Sequence, residues 1–145
     1  MELFRKEALG IEHGTHNWES AIRITGKVML DIGAIEEPYI QAMIDAVHEM
    51  GPYIVVAPRL ALAHAAAREG VIKNDMVLVV FKEPVIFNSE NDPVHLMIGL
   101  CALEAGSHLE QLTLLADLLE DENVLEKLHA ANNIEELYKL VNKKI

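Results

Sequence analysis

The sequence predicts an α/β fold in three layers, with helices on both faces of a central β-sheet. The strands are predicted at short apolar runs bounded by Gly, Pro, Asn or Asp, which span 53–57, 76–81 and 95–101. Both alternating faces of these runs are apolar, so neither face of the sheet is suited to contact with water. Amphipathic segments before and after the runs supply covering helices. A three-layer α/β/α sandwich follows.

Two helices are predicted before the first strand. Apolar residues recur at helical spacing from Trp18 behind a candidate cap, Asn17, and the pattern ends at Gly33. A second helix is predicted from Pro38, which suits a first helical turn, to Gly51, which stops it. The segment up to Gly51 is therefore predicted to form a helical hairpin.

The C-terminal third is predicted to be helical. Ser107 and Glu110 have the spacing of a capping box, in which the serine accepts from a backbone N–H and the glutamate reaches back. A helix should start there and reach about Leu119. A further turn around 124–129 and a last helix near 134–141 complete the chain.

Length and composition indicate a single domain, 1–145. The 145 residues are 51% hydrophobic, which is enough for a packed core in a domain of ordinary size. Lys and Arg number 12 against 23 Asp and Glu, so the formal net charge is −11. Nucleic acids and anionic membranes are bound through a surplus of basic residues, so both are disfavoured as partners. A basic protein partner fits this charge.

Cysteine content and the absence of targeting patterns bear on the compartment. The only cysteine, Cys101, permits neither an internal disulfide nor a multi-cysteine metal site, and it indicates a reducing compartment. No apolar stretch reaches the roughly 18 residues of a membrane-spanning helix, and the N-terminus lacks the pattern of a secretory signal. We therefore expect a cytoplasmic protein without membrane insertion.

The seven histidines are the side chains best suited to chemistry, because the chain has no cysteine cluster and no glycine-rich phosphate loop. His64 follows the first predicted strand, among alanines that leave its ring accessible to a large partner. A neutral imidazole is a competent nucleophile. A histidine in such a place is more often a core or loop residue bonded to backbone, so spacing alone leaves both interpretations open.

His108 lies at the first position of the helix that Ser107 caps. Unpaired backbone N–H groups and the positive end of the helix dipole converge there, which favours an anion. If the preceding strand brings His108 close to His64, the two form a phosphate-accepting pocket, with His64 as nucleophile and His108 donating to a phosphoryl oxygen. An exposed histidine without a role is the alternative.

The other five histidines are predicted to be structural. A buried, hydrogen-bonded ring is expected for His95, and a solvated loop for His13 and His16, which lack a third metal ligand. His48 and His129 lie near predicted helix C-termini, where the helix dipole explains them. We therefore expect neither a metal nor a cofactor.

Five motifs follow one another along the chain: Glu37-Pro38-Tyr39, the run 51–58, the His64 segment, Asn91-Asp92-Pro93-Val94 and Ser107-His108-Leu109-Glu110. In this order they resemble the IIA components of the bacterial phosphoenolpyruvate-dependent sugar phosphotransferase system, mannitol/fructose class. The G-P-Y-x-V-x-A-P and N-D-P-V runs are most similar to the ascorbate-type branch. The likeness extends from about Trp18 to Leu140.

The resemblance implies a mixed central sheet, a site and two partners. In the family, a histidine after the strand accepts a phosphoryl group from the phosphocarrier HPr and passes it to a IIB component, and that position is His64 here. The family's second site histidine matches His108. The implied activity is that of a phosphotransferase in sugar uptake. The sequence leaves open whether two copies pair as a homodimer.

The chain departs from the family at three places. Ala63 stands where proline usually precedes the active histidine, and Arg59 stands where the ascorbate branch commonly has glycine. An arginine that mannitol-type members carry after the second helix is missing, and Arg59 or Arg68 is a candidate for its charge. A regulatory phosphoprotein, in which His64 phosphorylation controls partner binding, remains the alternative to transport.

Overall fold

The computed structural model describes residues 2–66, 70–104 and 109–142, which form one mixed β-sheet flanked by helices. A short 3-10 turn at Lys6–Ala8 precedes the first strand. In chain order the elements are β1 (Leu9–Glu12), α1 (Trp18–Asp31), α2 (Glu37–Met50), β2 (Val55–Ala57), β3 (Leu60–Ala63), β4 (Asp75–Val85), β5 (Val94–Cys101), α3 (Leu109–Leu119), α4 (Glu122–Ala130) and α5 (Ile134–Asn142). No helix of these described stretches is long and apolar enough to cross a membrane.

The strands lie in the order β1-β4-β5-β3-β2. β1 runs parallel to β4 and β3 parallel to β5, whereas β4 and β5 are antiparallel, as are β2 and β3. The predicted mixed sheet is confirmed. Leu60 of β3 lies opposite Leu96 and Ala63 opposite Gly99, so β3 and β5 end at the same edge of the sheet. The segments that follow these two strands therefore leave the sheet side by side.

Side chains of the central strands alternate between two cores. Val77, Val79 and Phe81 of β4 pack in the core that contains the buried residues of α1 and α2. Leu78 and Val80 pack in the core formed with α3, α4 and α5. Because each face of the sheet is covered by its own helices, the three-layer sandwich predicted from the apolar runs is confirmed.

The predicted helix boundaries agree closely with the structure. The Asn17 side chain accepts a hydrogen bond of 2.8 Å from the Ser20 N–H, which caps α1. Pro38 lies in the first turn of α2, and Gly51 ends that helix with a φ of +82° that a residue with a side chain rarely adopts. The segment around 124–129 is a full helix, α4, rather than a single turn. The capping box at Ser107 lies outside the described residues.

Two strands, β1 and β3, were not predicted. Each has four residues, and the Leu-Ala-Leu-Ala sequence of β3 lacks the β-branched residues typical of strands. Tertiary packing overrides this weak preference: Ala61 and Ala63 are fully buried against the α1 and α2 layer. The segment 60–63, which was expected to follow a strand, is itself the strand that ends directly before His64.

Candidate active site

His64 is the first residue after β3, at the edge where β3 and β5 both end. Its ring is half-buried, and its Nδ1 lies 2.7 Å from the carbonyl oxygen of Leu62. A carbonyl oxygen can only accept, so Nδ1 carries the proton that it donates. In the neutral ring Nε2 is then unprotonated, and no residue in the described stretches hydrogen-bonds to it. The backbone thus fixes the tautomer that leaves Nε2 as a nucleophile.

Tyr53 holds one side of the His64 ring. The two ring centroids lie 5.4 Å apart at an interplanar angle of 76°, an edge-to-face contact. Tyr53 is 39% exposed, so this contact lies at the surface. Burial raises the pKa of the Tyr53 hydroxyl, which therefore stays protonated and uncharged beside the imidazole. Together, Leu62 and Tyr53 fix the plane of the ring.

The backbone that follows His64 is held by Tyr39. The Ala65 N–H donates to the Tyr39 hydroxyl oxygen at 3.0 Å, and this hydroxyl lies 2.9 Å from the carbonyl oxygen of Leu100, near the end of β5. Tyr39 is only 1% exposed. Tyr39 belongs to the Glu37-Pro38-Tyr39 motif, but no role of its side chain was predicted from the sequence. A tyrosine among the apolar core positions of a helix could have indicated this role, because a buried hydroxyl needs a hydrogen-bond partner.

The far side of the same loop is attached to the corner between α1 and α2. The Glu36 N–H donates to the Gly70 carbonyl at 2.7 Å, and the Ile72 N–H donates to the Ala34 carbonyl at 2.8 Å. Gly70 has a φ of +86°, and a Cβ there would lie 3.1 Å from the Tyr39 backbone nitrogen. Both ends of the loop that carries His64 are thus fixed on one support, residues 34–39.

His108 lies outside the described residues, as does Arg68. β5 ends at Cys101, at the same edge as His64, and α3 begins at Leu109. The proximity of His108 to His64 therefore stays a prediction.

Arg59 lies at the opposite end of β3 from His64. Its Nη1 lies 3.7 Å from the Glu126 carboxylate on α4, and the four residues of β3, or about 16 Å of extended chain, separate it from His64. Arg59 is therefore not placed to supply charge to the His64 ring. Its φ of +71° is a left-handed conformation that favours glycine.

Four of the five remaining histidines, His16, His48, His95 and His129, have hydrogen-bond partners within the fold. His16 hydrogen-bonds with Glu12 and Ser20, so it braces its loop, although a solvated position was expected. His48 pairs with Glu19 on α1 at 3.1 Å. His95 donates from Nδ1 to the Phe81 carbonyl. Among the residues that the structure describes, no group of three or more His, Cys, Asp or Glu side chains could hold a metal ion.

Comparison with known proteins identifies the family. Residues 2–144 match the family "Phosphoenolpyruvate-dependent sugar phosphotransferase system, EIIA 2". The chain belongs to this family, and it is an EIIA component and thus a member of a phosphotransferase chain.

The chain is similar to EIIA proteins with different sugars in their names. An ascorbate-specific EIIA component of Shigella boydii is 34% identical over 97% of this chain and 93% of its own length. The mannitol-specific cryptic IIA component of Escherichia coli is 32% identical over 98% and 97%. A solution structure of the E. coli mannitol-specific cryptic IIA enzyme has a TM-score of 0.86 at 33% identity, covering 99% of both chains.

A further solved structure is a complex of the E. coli mannitol IIA with phosphorylated mannitol IIB. Its matching chain has a TM-score of 0.82 at 28% identity, over 95% of this chain and 96% of that one. The fold described above is thus the fold of mannitol-type IIA proteins.

Proposed function

We propose that His64 accepts a phosphoryl group from phospho-HPr on Nε2 and passes it to a IIB component during sugar uptake. The observation that carries the proposal is the place of the His64 ring, where the chain leaves β3 beside the exposed Tyr53. There the hydrogen bond from Nδ1 to the Leu62 carbonyl leaves Nε2 as the unprotonated nitrogen of a neutral ring. Partners that act on phosphoenolpyruvate-derived phosphate would place the protein in the cytoplasm.

The transfer step balances without a co-reactant. The Nε2 lone pair forms a bond to phosphorus while the P–N bond of phospho-HPr breaks, and that electron pair returns to the donor's imidazole. The proton stays on Nδ1 and is donated to the Leu62 carbonyl oxygen, which stabilises the positive charge that the ring gains. Transfer to IIB repeats the step with His64 as the leaving group. Positioning, rather than proton transfer, is then the main task of the protein.

Donor and acceptor are proposed to use overlapping surfaces, because each must reach the same ring. Tyr53 contacts that ring and is 39% exposed, so either partner would cover it. The E. coli mannitol IIA forms a complex with phosphorylated IIB, which supports a IIB partner here. Excess unphosphorylatable HPr should therefore inhibit transfer to IIB. Simultaneous stable binding of both proteins would contradict the shared surface.

The net charge of −11 supports a partner with a basic rim around its histidine. Long-range attraction raises the encounter rate more than the final affinity. Transfer from phospho-HPr should slow as salt rises, mainly through the association rate, because exposed charges are screened beyond roughly 10 Å at 0.1 M salt. A rate that is independent of salt would argue against electrostatic steering.

For the sugar, we propose an ascorbate-type system. The G-P-Y-x-V-x-A-P and N-D-P-V runs support it, as do the ascorbate-specific relatives at 34% identity. The mannitol-type relative at 32% identity is almost as similar, so sequence identity alone does not distinguish an ascorbate-type from a mannitol-type system. The direct test offers the phosphorylated protein an ascorbate-type and a mannitol-type IIB. Faster transfer to the mannitol-type IIB would reverse the assignment.

The central test maps the phosphate. The protein is incubated with phosphoenolpyruvate, enzyme I and HPr, and the acid-labile phosphate is located by mass spectrometry under alkaline conditions. We expect it on His64, lost in His64→Ala and kept in the control His48→Ala, whose ring is on α2. Phosphate retained by His64→Ala would refute the site. Normal phosphorylation with no transfer to any IIB would favour the regulatory alternative.

A further inference from the structure

We propose that Tyr39 is a positioning residue for phosphotransfer, whose hydroxyl fixes the backbone after His64 to the end of β5. The proposal rests on the proposed role of His64. Tyr39 lies in the first turn of α2, in the opposite layer from α3, and it does not belong to the strand that carries His64. Its effect on His64 must therefore pass through the backbone.

The Tyr39 hydroxyl acts both as a hydrogen-bond donor and as an acceptor. Tyrosine has one O–H donor, and the nearest acceptor is the Leu100 carbonyl at 2.9 Å, while the Ala65 carbonyl lies farther away at 3.4 Å. The oxygen accepts the Ala65 N–H at 3.0 Å. One buried oxygen thus joins the exits of β3 and β5.

The hydroxyl keeps this role across the working pH range. Burial raises the pKa of Tyr39 to about 12, with the backbone contact at Ala65 opposing the shift. The O–H proton is therefore present near neutral pH and remains available to Leu100. The backbone of Tyr39 also limits the far side of the loop, since a Cβ on Gly70 would lie 3.1 Å from its nitrogen.

The consequence for transfer is geometric. In-line attack needs Nε2 at about 3 to 3.5 Å from phosphorus with its lone pair aligned, and a displacement of about 1 Å can cost a hundredfold in rate. On the strand side, the His64 ring is oriented by Leu62. On the loop side, the adjoining residue is held by the Tyr39 hydroxyl. Without that bond, the backbone directly after His64 would lose its hydrogen bond to the support at residues 34–39.

The test is Tyr39→Phe, which removes only the hydroxyl oxygen and its proton. We expect the Ala65 amide to lose protection against hydrogen exchange. We also expect kcat for transfer from phospho-HPr to fall about tenfold or more, with KM nearly unchanged because the docking surface is intact. Amide exchange does not depend on phosphotransfer, so it reports on the hydrogen bond between Ala65 and Tyr39 independently of the rate.

Two control variants separate positioning from general destabilisation. Tyr138→Phe removes a hydroxyl that bonds Glu2 in the other helical layer, and it should leave kcat unchanged. Val79→Ala creates a cavity in the same core as Tyr39 without removing a bond to the loop. It should lower the unfolding temperature and leave kcat near the wild-type value at a temperature where all variants are folded.

The outcomes distinguish the two proposals. A wild-type kcat in Tyr39→Phe, with His64 phosphorylated normally, overturns the role of Tyr39 alone. An equal loss of kcat in Val79→Ala also overturns it, because stability would then explain the effect. If the wild-type protein carries no phosphate on His64, the proposed function fails and the positioning role fails with it.

Discussion

His64 and His95 share a local geometry and differ in surroundings. Each ring lies beside a strand and donates its Nδ1 proton to a backbone carbonyl, Leu62 at 2.7 Å and Phe81 at 3.0 Å. Each neutral ring therefore has an unprotonated Nε2. The fixed tautomer is common to both, so it does not by itself mark a site.

The two histidines differ in the environment of their rings. His95 lies within β5, and the centroid of its ring is 4.1 Å from that of His129 on α4, with the two ring planes tilted by 48°. Lys82 is close by and donates to the carbonyl of His129. His64 instead begins a loop at the sheet edge, beside an exposed Tyr53. The position of His64 at the end of a strand, beside an exposed tyrosine, is what a partner protein would need to reach its ring, and it supports the proposal that His64 rather than His95 is the nucleophile.

The largest effect expected from this comparison is on phosphate acceptance. His64→Asn keeps a side-chain N–H donor of about the reach of Nδ1 and removes Nε2, so transfer should be lost completely. His95→Asn makes the same change at the other end of the sheet, and its transfer rate should stay within about twofold of wild type, since P–N chemistry is not expected there. Radiolabelled phosphate transfer from phospho-HPr measures both. Equal losses in the two variants would remove the distinction.

A smaller loss is expected for His108→Ala. A histidine at a helix start is suited to hold a phosphoryl oxygen without being the nucleophile, so its truncation should slow transfer by about ten- to a thousandfold, the range for loss of one preorganised donor. Single-turnover kinetics with phospho-HPr give the rate, and circular dichroism checks the fold. An unchanged rate would exclude His108 from the site.

The sequence predicted those features of the fold that are encoded locally. The start of α1 and both ends of α2 were predicted because the residues that set them act locally. Asn17 caps α1, Pro38 lies in the first turn of α2, and Gly51 ends α2 with a positive φ. β3 was missed because alanines are weak strand formers, and only its burial between β5 and β2 makes it a strand.

The same limit applies to the site. An accessible His64 could be predicted from its neighbours in the chain. The bond from Tyr39 to Ala65 and Leu100 joins three segments that are distant in sequence, and it exists only after the sheet has formed. Arg59 shows the converse error, because a charge close to His64 in sequence lies at the far end of a strand.

A modest gain in stability is expected from Arg59→Gly. A side chain at φ +71° costs about 1 to 2 kcal/mol, and the greater freedom of glycine in the unfolded chain offsets about 0.4 to 1 kcal/mol of this. The pair with Glu126 joins exposed side chains and contributes little. The free energy of unfolding should rise by about 0.5 to 1 kcal/mol.

Arg59→Ala is the matched control for this change, because it removes the charge and keeps the strain. It should show no gain in denaturant unfolding, and neither variant should alter phosphotransfer. Slower transfer in both variants would return Arg59 to the site and undo the contrast between the two ends of β3.

The smallest expected effect concerns acid stability at the His95 end. Desolvation lowers the pKa of His129 below its ordinary value of 6.5, and His95, Lys82 and Arg59 add to the shift, while the bond to the Lys82 carbonyl opposes it. The unfolded chain then binds a proton more readily than the folded one. His129 therefore has no effect on the free energy of unfolding well above pH 6.5, and it lowers that free energy as the pH falls through and below this value.

Gln in place of His129 retains an N–H that can donate to the Lys82 carbonyl, and it cannot take up a proton. In His129→Gln the unfolding temperature should therefore fall less between pH 7 and pH 5 than in wild type, by about 1 to 2 °C for a group this close to solvent. An identical acid loss in wild type and His129→Gln would show that His129 does not set the acid dependence.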